Sequence, residues 1–392
     1  MERWKINLYI LWTSQVISLL SFSLGMPFLP LYIQEFGVKD TEQIKFFTGI
    51  LSAAPAFTMA IMAPIWGKLA DRYGKKLMIL RAMFVASLII AGMGIANGPW
   101  QLVALRLCQG LFTGTITAAM AFIAANTPDN RLSSALGFMS SANFIGFALG
   151  PIIGGFFAEQ WGYRFSFYTG GILMFLGFIL VLLLLKEESI SKELKDTSAE
   201  KTEVKDNIFT SIVVSILVVI FFQRIVRSVF APFIPVFVQE SIGTTEGVAA
   251  ITGNINGGVA LLTALAGIVF GRLADKYDKK HILVTSVAIS LLLAFLVNMT
   301  NSLTGFSLVY PILFFFLGGA EPIVTSISAE KTAKENRGVL FGFQGTVGSI
   351  ALIVSPILGT FISVNFSTKA ILILLPIVSF IILVLSAKLK VK

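Results

Sequence analysis

Cysteine and histidine are nearly missing from this chain: Cys108 and His281 stand alone in 392 residues. A single cysteine excludes an intramolecular disulfide and a soft-metal cluster, so Cys108, inside an apolar run, reads as a small buried hydrophobe. The scarcity of His/Asp/Glu clusters leaves a membrane-embedded enzyme without candidate catalytic groups. No metal and no other cofactor is expected. The phosphate-binding pattern GxxxxGK[ST] occurs nowhere, which excludes an ATP-driven pump of that type. Charge is also scarce. Charged residues make up 13% and hydrophobic ones 56%, with a mean hydropathy of +0.85, and such a chain has no ordinary water-facing surface.

What is present are apolar runs long enough to span a bilayer. Lipid cannot satisfy backbone polar groups, so spanning segments are helices or closed barrels, and these runs far exceed the roughly 10 residues of a barrel strand. The pattern predicts an all-α membrane protein with twelve helices at 7–33, 46–66, 79–96, 100–125, 134–158, 165–185, 208–238, 246–270, 281–299, 304–328, 338–363 and 368–387. The first run is too long for a signal-peptide core and lacks a cleavage site, so it reads as a retained helix. The net charge of +9 resides in short loops and reads as a topology signal, not as a nucleic-acid surface. Loops on the side of the termini hold 23 Lys/Arg, whereas the opposite side holds four, Lys39, Lys45, Arg164 and Lys369. The positive-inside rule therefore places both termini in the cytoplasm.

Only one connection is long and polar, from Lys186 to about Asp206, with five Lys, seven Asp/Glu and no aromatic residue. It predicts a six-helix bundle over 1–185, a cytoplasmic linker over 186–206 and a second bundle over 207–392. The halves repeat one another. Pro27-Phe28-Leu29-Pro30 to Glu35 matches Pro232-Phe233-Ile234-Pro235 to Glu240, and Gly67-Lys68-Leu69-Ala70-Asp71-Arg72-Tyr73 matches Gly271-Arg272-Leu273-Ala274-Asp275-Lys276-Tyr277. Gly137-Phe138 and Gly150-Pro151 match Gly342-Phe343 and Ser355-Pro356. A near-constant offset of 204 or 205 over separated blocks means a duplicated unit in one orientation, related by a pseudo-two-fold axis.

Three motifs carry a resemblance. The block from Gly67 to Lys76, between the second and third helices, has glycines, an aspartate between cations and a copy in the other half; a merely topogenic basic loop needs only the lysines. On the fifth helix stand Gly146, Gly150, Pro151, Gly154 and Gly155, whose spacing permits close backbone approach and a bend. On the fourth stands Arg106-Leu107-Cys108-Gln109-Gly110. Together these resemble the major facilitator superfamily, and within it the twelve-helix drug:proton antiporter branch of bacterial efflux proteins. That resemblance implies a monomeric carrier in the bacterial cytoplasmic membrane, exporting a small amphiphilic molecule against protons by alternating access. It gives a latch role to Gly67, Asp71, Arg72, Gly74 and Asp275 and an exporter signature to the glycines of the fifth helix.

The same resemblance places helices 1, 4, 7 and 10 around a central cavity among membrane lipids. Ser14, Ser18, Ser21 and Gly25 share a side of the first, and Arg106, Gln109, Thr113 and Thr117 form a polar stripe on the fourth. Arg224 and Arg227 share a face of the seventh, and Glu321 precedes Pro322 in the tenth. Arg224, Arg227, Gln109, Thr113, Ser18 and Ser21 are the expected substrate contacts; Glu321 and Arg106 are the expected proton-coupling residues. A structural ion pair is the plainer explanation for Glu321. The excess of arginine suits an oxyanion, which leaves dedicated export of an anionic or zwitterionic metabolite, such as a metal chelator or lipid-like amphiphile, as the alternative. A receptor that kept the fold without transport is a further one.

Overall fold

The computed structural model describes residues 2–112, 114–187, 211–332 and 337–389. Most of the expected linker and Thr113 therefore lie outside the described residues. Everything described is helix or short connection, with no strand among the described residues. Twelve helical spans are long and apolar enough to cross a membrane. In the first half they are span 1 (Arg3–Phe36), span 2 (Thr41–Ala70), span 3 (Lys75–Ile95), span 4 (Pro99–Asn126), span 5 (Ser134–Trp161) and span 6 (Tyr163–Leu184). In the second half they are span 7 (Ile212–Ile242), span 8 (Val248–Ala274), span 9 (Lys279–Met299), span 10 (Leu303–Glu330), span 11 (Val339–Asn365) and span 12 (Lys369–Lys388).

The duplicated Pro-Phe-x-Pro block acts alike in both halves. Proline removes a helical donor and crowds the preceding turn. Span 1 accordingly runs as an α-helix over Arg3–Gly25, tightens to a 3₁₀ turn at Met26–Phe28 and resumes at Leu29–Tyr32. Span 7 repeats this with Ser211–Val229, Ala231–Phe233 and Ile234–Ile242. The two kinks exchange side chains: Phe28 and Leu31 join the apolar core of the second half, and Val236 joins that of the first.

Span 1 packs on spans 5 and 6 and span 3 on span 6; in the second half span 7 packs on spans 11 and 12 and span 9 on span 12. The same neighbours in each half are what a duplicated unit requires. Between the halves, span 5 lies against span 8 and span 2 against span 11. Glycine makes both seams. A Cβ on Gly253 would sit 2.3 Å from the carbonyl oxygen of Pro151, and one on Gly49 would sit 3.2 Å from that of Pro356, the repeat mate of Pro151.

Two expectations change. The helix leading into the Gly67 block continues to Tyr73, so Gly67 lies inside it, where an added Cβ would meet nothing within 4 Å, and only Gly74, at φ +95°, makes the turn. Span 4, expected as one helix, is two, Pro99–Phe112 and Thr115–Asn126, with Gly114 at φ +127° between them. The break frees carbonyls, and neighbours take them: Trp66 Nε1 donates to Leu111 O at 2.6 Å, and Arg81, stacked on the Trp66 ring, donates to Phe112 O at 3.4 Å. The stripe from Arg106 to Thr117 is thereby interrupted.

Candidate transport site

Span 7 presents Arg224 and Arg227 three residues apart, on one helical face, and span 10 brings Glu321 between them. One carboxylate oxygen, Oε1, accepts from Arg224 Nη2, and Oε2 accepts from Arg227 Nη1 at 3.1 Å. The pairing left open by the sequence is thus double. With each oxygen held by a separate guanidinium, the carboxylate is fixed in orientation, and the triad keeps one net positive charge. All three side chains retain between about 31 and 43% of their exposure, so they border open space and are not sealed in a core. Gln223, Thr263, Phe314, Leu317 and Gly318 complete the wall of a small cavity beside them.

Arg106 is in a different situation. It is 7% exposed, and its Nε donates to Leu51 O at 2.7 Å while Nη1 donates to Gln109 Oε1 at 2.6 Å. Leu51 O is available because Pro55, four residues on, has no N–H to give it. No carboxylate pairs with Arg106 among the described residues. Gln109, 1% exposed, gives its Oε1 to Arg106 and is buried with it, so neither lines an open cavity here. Ser18 and Ser21 also depart from expectation. Both are buried, and their hydroxyls donate within their own helix to Ser14 O and Ile17 O. A Cβ on Gly170 of span 6 would lie 2.7 Å from Ser21 O, so helix packing accounts for these serines.

The halves are also bonded at the face opposite the termini. Gln34 and Gln239, repeat mates, exchange two amide hydrogen bonds of 2.8 and 2.9 Å. Lys45 Nζ lies 3.0 Å from Glu240 Oε1, and the Glu159 carboxylate accepts from the backbone N–H groups of Gly247, Ala249 and Ala250 at 3.2, 2.9 and 3.4 Å. Glu159 thus caps span 8 from across the seam, where free N–H groups and the helix dipole favour a negative charge. Sequence reading missed this seal. The matched Gln-Glu pairs at its centre were the available signal.

Residues 11–222 and again 216–391 match the Major Facilitator Superfamily. The chain belongs to that family. The match to each half separately agrees with the duplication and with a transporter rather than an enzyme. Among its relatives, the Multi-drug resistance efflux pump PmrA homolog of Lactococcus lactis subsp. lactis (strain IL1403) is 31% identical over 369 residues, covering 94% of this chain and 90% of that one. The Multidrug resistance protein MdtG of Klebsiella pneumoniae (strain 342) is 30% identical over 372 residues, covering 94% and 89%. Among solved structures, a bacterial homologue of the human lysosomal transporter Spinster matches with a TM-score of 0.77 at 16% identity, covering 93% of this chain and 83% of that one. The human organic anion transporter MFSD10 (TETRAN) matches with 0.71 at 14% identity, covering 98% and 100%. At such identities these structures speak for the fold.

The superfamily motifs can now be placed. On span 5, a Cβ at Gly146, Gly150 or Gly154 would come within 2.4 Å of Leu19 Cβ, 1.8 Å of Ser23 Oγ or 1.9 Å of Leu24 O on span 1. Gly155 faces the other way, with Ala249 O of span 8 at 2.6 Å. Span 5, with Pro151 between these glycines, is therefore wedged backbone to backbone between its own half and the opposite one. In the second half Gly359 meets Val229 O at 2.7 Å, the repeat mate of the Gly154 contact. At the latch block, Lys75 and Lys76 donate their backbone N–H groups to the Glu187 carboxylate at 2.9 and 3.1 Å. This cap comes from the same half, so the Gly74 turn is held by the start of the linker instead of by the facing bundle. Arg72 stacks on neighbouring Tyr73, while the side chains of Asp71 and Asp275 lie outside the described residues. The second copy caps itself: Asp278 accepts from His281 N at 2.8 Å, and that backbone bond holds its carboxyl below the usual range.

Proposed function

We propose that this protein is a proton-coupled antiporter of the bacterial cytoplasmic membrane, exporting small amphiphilic molecules by alternating access; its relatives named for multidrug resistance and efflux support the export part of that reading. The observation that carries the reading is Glu321. It is a carboxylate within a spanning helix, bordering open space and held by two arginines whose release would let it take up a proton. Arg224 and Arg227 then have a second partner to offer, the substrate, when Glu321 is neutral. With both termini cytoplasmic, as the Lys/Arg asymmetry implies, the Gln34–Gln239 seal closes the outer face and this conformation opens inward. The latch residues Gly67, Asp71, Arg72, Gly74 and Asp275 act in the opposite conformation, when the inner ends close. Gly146, Gly150, Pro151, Gly154 and Gly155 form the close-packed pivot. Arg106 and Gln109 serve as scaffold of the first half. The monomer suffices, with the domain boundaries at 1–185 and 207–392.

The test is accumulation of an amphiphilic dye in proteoliposomes with an imposed proton gradient. Gradient-driven accumulation is expected for the native chain and is expected to vanish in Glu321→Gln. Accumulation that persists in that variant overturns the coupling role, and no flux under any gradient supports the non-transporting receptor. The positive excess of the triad favours the second reading, dedicated export of an anionic or zwitterionic metabolite. An anionic dye that outcompetes a cationic one would put that reading first.

A further inference from the structure

The wall of the cavity beside Glu321 includes, next to the apolar Phe314 and Leu317, polar groups that the ion pairs leave unused. Gln223, adjacent to Arg224, is 6% exposed, and both ends of its side-chain amide lack a partner among the described residues. Thr263 of span 8 is 7% exposed, and its hydroxyl likewise lacks one among the described residues. Both line the same cavity as Arg224, Arg227 and Glu321. The carbonyl of Gly318, in the same wall, has lost its helical donor because Pro322 four residues on carries no N–H. Buried amides and hydroxyls are seldom left unbonded, since they forfeit hydration with nothing in return. Three helices therefore bring residues with unused donors and acceptors to the wall of one space beside a carboxylate.

That space holds about one water molecule. It cannot widen cheaply, because spans 8 and 10 touch there: a Cβ on Gly318 would lie 2.9 Å from Thr263 Cγ2. A substrate group of several atoms does not fit, whereas water supplies two donors and two acceptors to match an amide, a hydroxyl and a carbonyl. The geometry points to Gln223 and Thr263 as positioning residues that hold a water against Glu321, through which the coupling proton passes. This rests on the reading of Glu321 as the coupling carboxylate. A hydronium arriving from the open side gives one proton to the held water, and the held water passes one of its own protons to a Glu321 oxygen. One O–H bond breaks on the hydronium, which becomes water, one forms and one breaks on the held water, and one forms on Glu321. The charged groups facing Glu321 are Arg224 and Arg227 from span 7; span 8 contributes Thr263 and no charge among the described residues.

The experiment follows carboxyl protonation by infrared spectroscopy after a rapid pH drop, on the purified full chain in lipid nanodiscs, without substrate. The Glu321 signal is the carboxyl band that Glu321→Gln removes. Gln223→Leu and Thr263→Val are expected to slow its appearance at least about tenfold each, whereas Thr263→Ser, which keeps the hydroxyl, retains the native rate. Thr263→Val has nearly the shape of threonine, so it removes the hydroxyl without disturbing packing, and the Ser variant separates relay from helix contact. Native rates in both Gln223→Leu and Thr263→Val overturn the relay while leaving the coupling role of Glu321 standing. Absence of any band that Glu321→Gln removes overturns both.

Discussion

The two halves share a fold and a packing plan, yet they treat buried charge in opposite ways. In the first half Arg106 is bonded to a backbone carbonyl that Pro55 set free and to the amide of Gln109; neither partner can change its charge. In the second half Arg224 and Arg227 share a carboxylate, Glu321, which can. None of these residues has a charged repeat mate: the positions matching Arg106, Glu321, Arg224 and Arg227 are Pro311, Ile116, Leu19 and Phe22. The duplicated scaffold therefore carries its intramembrane charge asymmetrically. One half holds its arginine on neutral partners, whereas the other ties two arginines to an acidic one.

The largest expected effects test whether that scaffold is rigid. Gly154→Val drives a branched side chain toward Leu24 O, a backbone atom 1.9 Å from the first added carbon. Overpacking costs about 1–3 kcal/mol even where neighbours can yield, so folded protein recovered by size-exclusion chromatography should be lost. Gly359→Val meets its nearest obstacles at 2.7 Å and should lose less. Gly67→Ala should leave the melting temperature unchanged or raised, because a helical glycine in open space costs about 0.5–1 kcal/mol relative to alanine. Transport lost in Gly67→Ala without loss of stability would place its role in the opposite conformation.

The next effect tests whether the second half is a site or a tie. Glu321→Gln removes the charge that holds two arginines and should cost about 1–3 kcal/mol in thermal stability, toward the lower figure because the side chains border open space. Arg224→Gln combined with Glu321→Gln should recover much of that stability. If the double variant also regains gradient-driven flux, the triad is a structural tie, and the contrast with Arg106 disappears.

A more local effect probes the proline–arginine bond. Arg106→Met leaves Leu51 O without a donor, at about 1–3 kcal/mol. Adding Pro55→Ala restores a backbone N–H at that position, so the double variant should melt higher than Arg106→Met alone. A strictly additive pair would show that the carbonyl is not what Arg106 serves.

The smallest effect compares the two loops. Asp278 has a carboxyl pKa lowered on folding by the His281 backbone N–H, so its cap is present above the ordinary aspartate range and is lost as pH falls through the lowered folded value. Hydrogen exchange in the first turn of span 9 should accelerate at acid pH, and Asp278→Ala should abolish that dependence.

Hydropathy and the repeat offset made the twelve spans and the two halves readable, because lipid leaves the backbone one solution and a duplicated unit folds twice alike. Contacts that depend on a neighbour's spare valence were not readable. The interruption of span 4 stands because Trp66 and Arg81 receive the freed carbonyls, and nothing local in the segment announces them. Ser18 and Ser21 looked like cavity polarity, but a serine can satisfy itself on its own helix. Arg224, Arg227 and Glu321 were readable as a set because ions at membrane depth need one another. The unpartnered Gln223 and Thr263 were not, since neutral polar residues carry no such demand.

The Gln34–Gln239 bond joins a position to its own copy, which only a residue beside the pseudo-symmetry axis can do. In a two-fold homodimer such contacts are self-complementary, and one gene specifies both partners. A single six-helix chain carrying this glutamine would have made the same paired amide with a second molecule of itself. The outer seal is thus the kind of contact that two identical six-helix chains could make, whereas the arginines, the glutamate and the linker are what distinguish the halves.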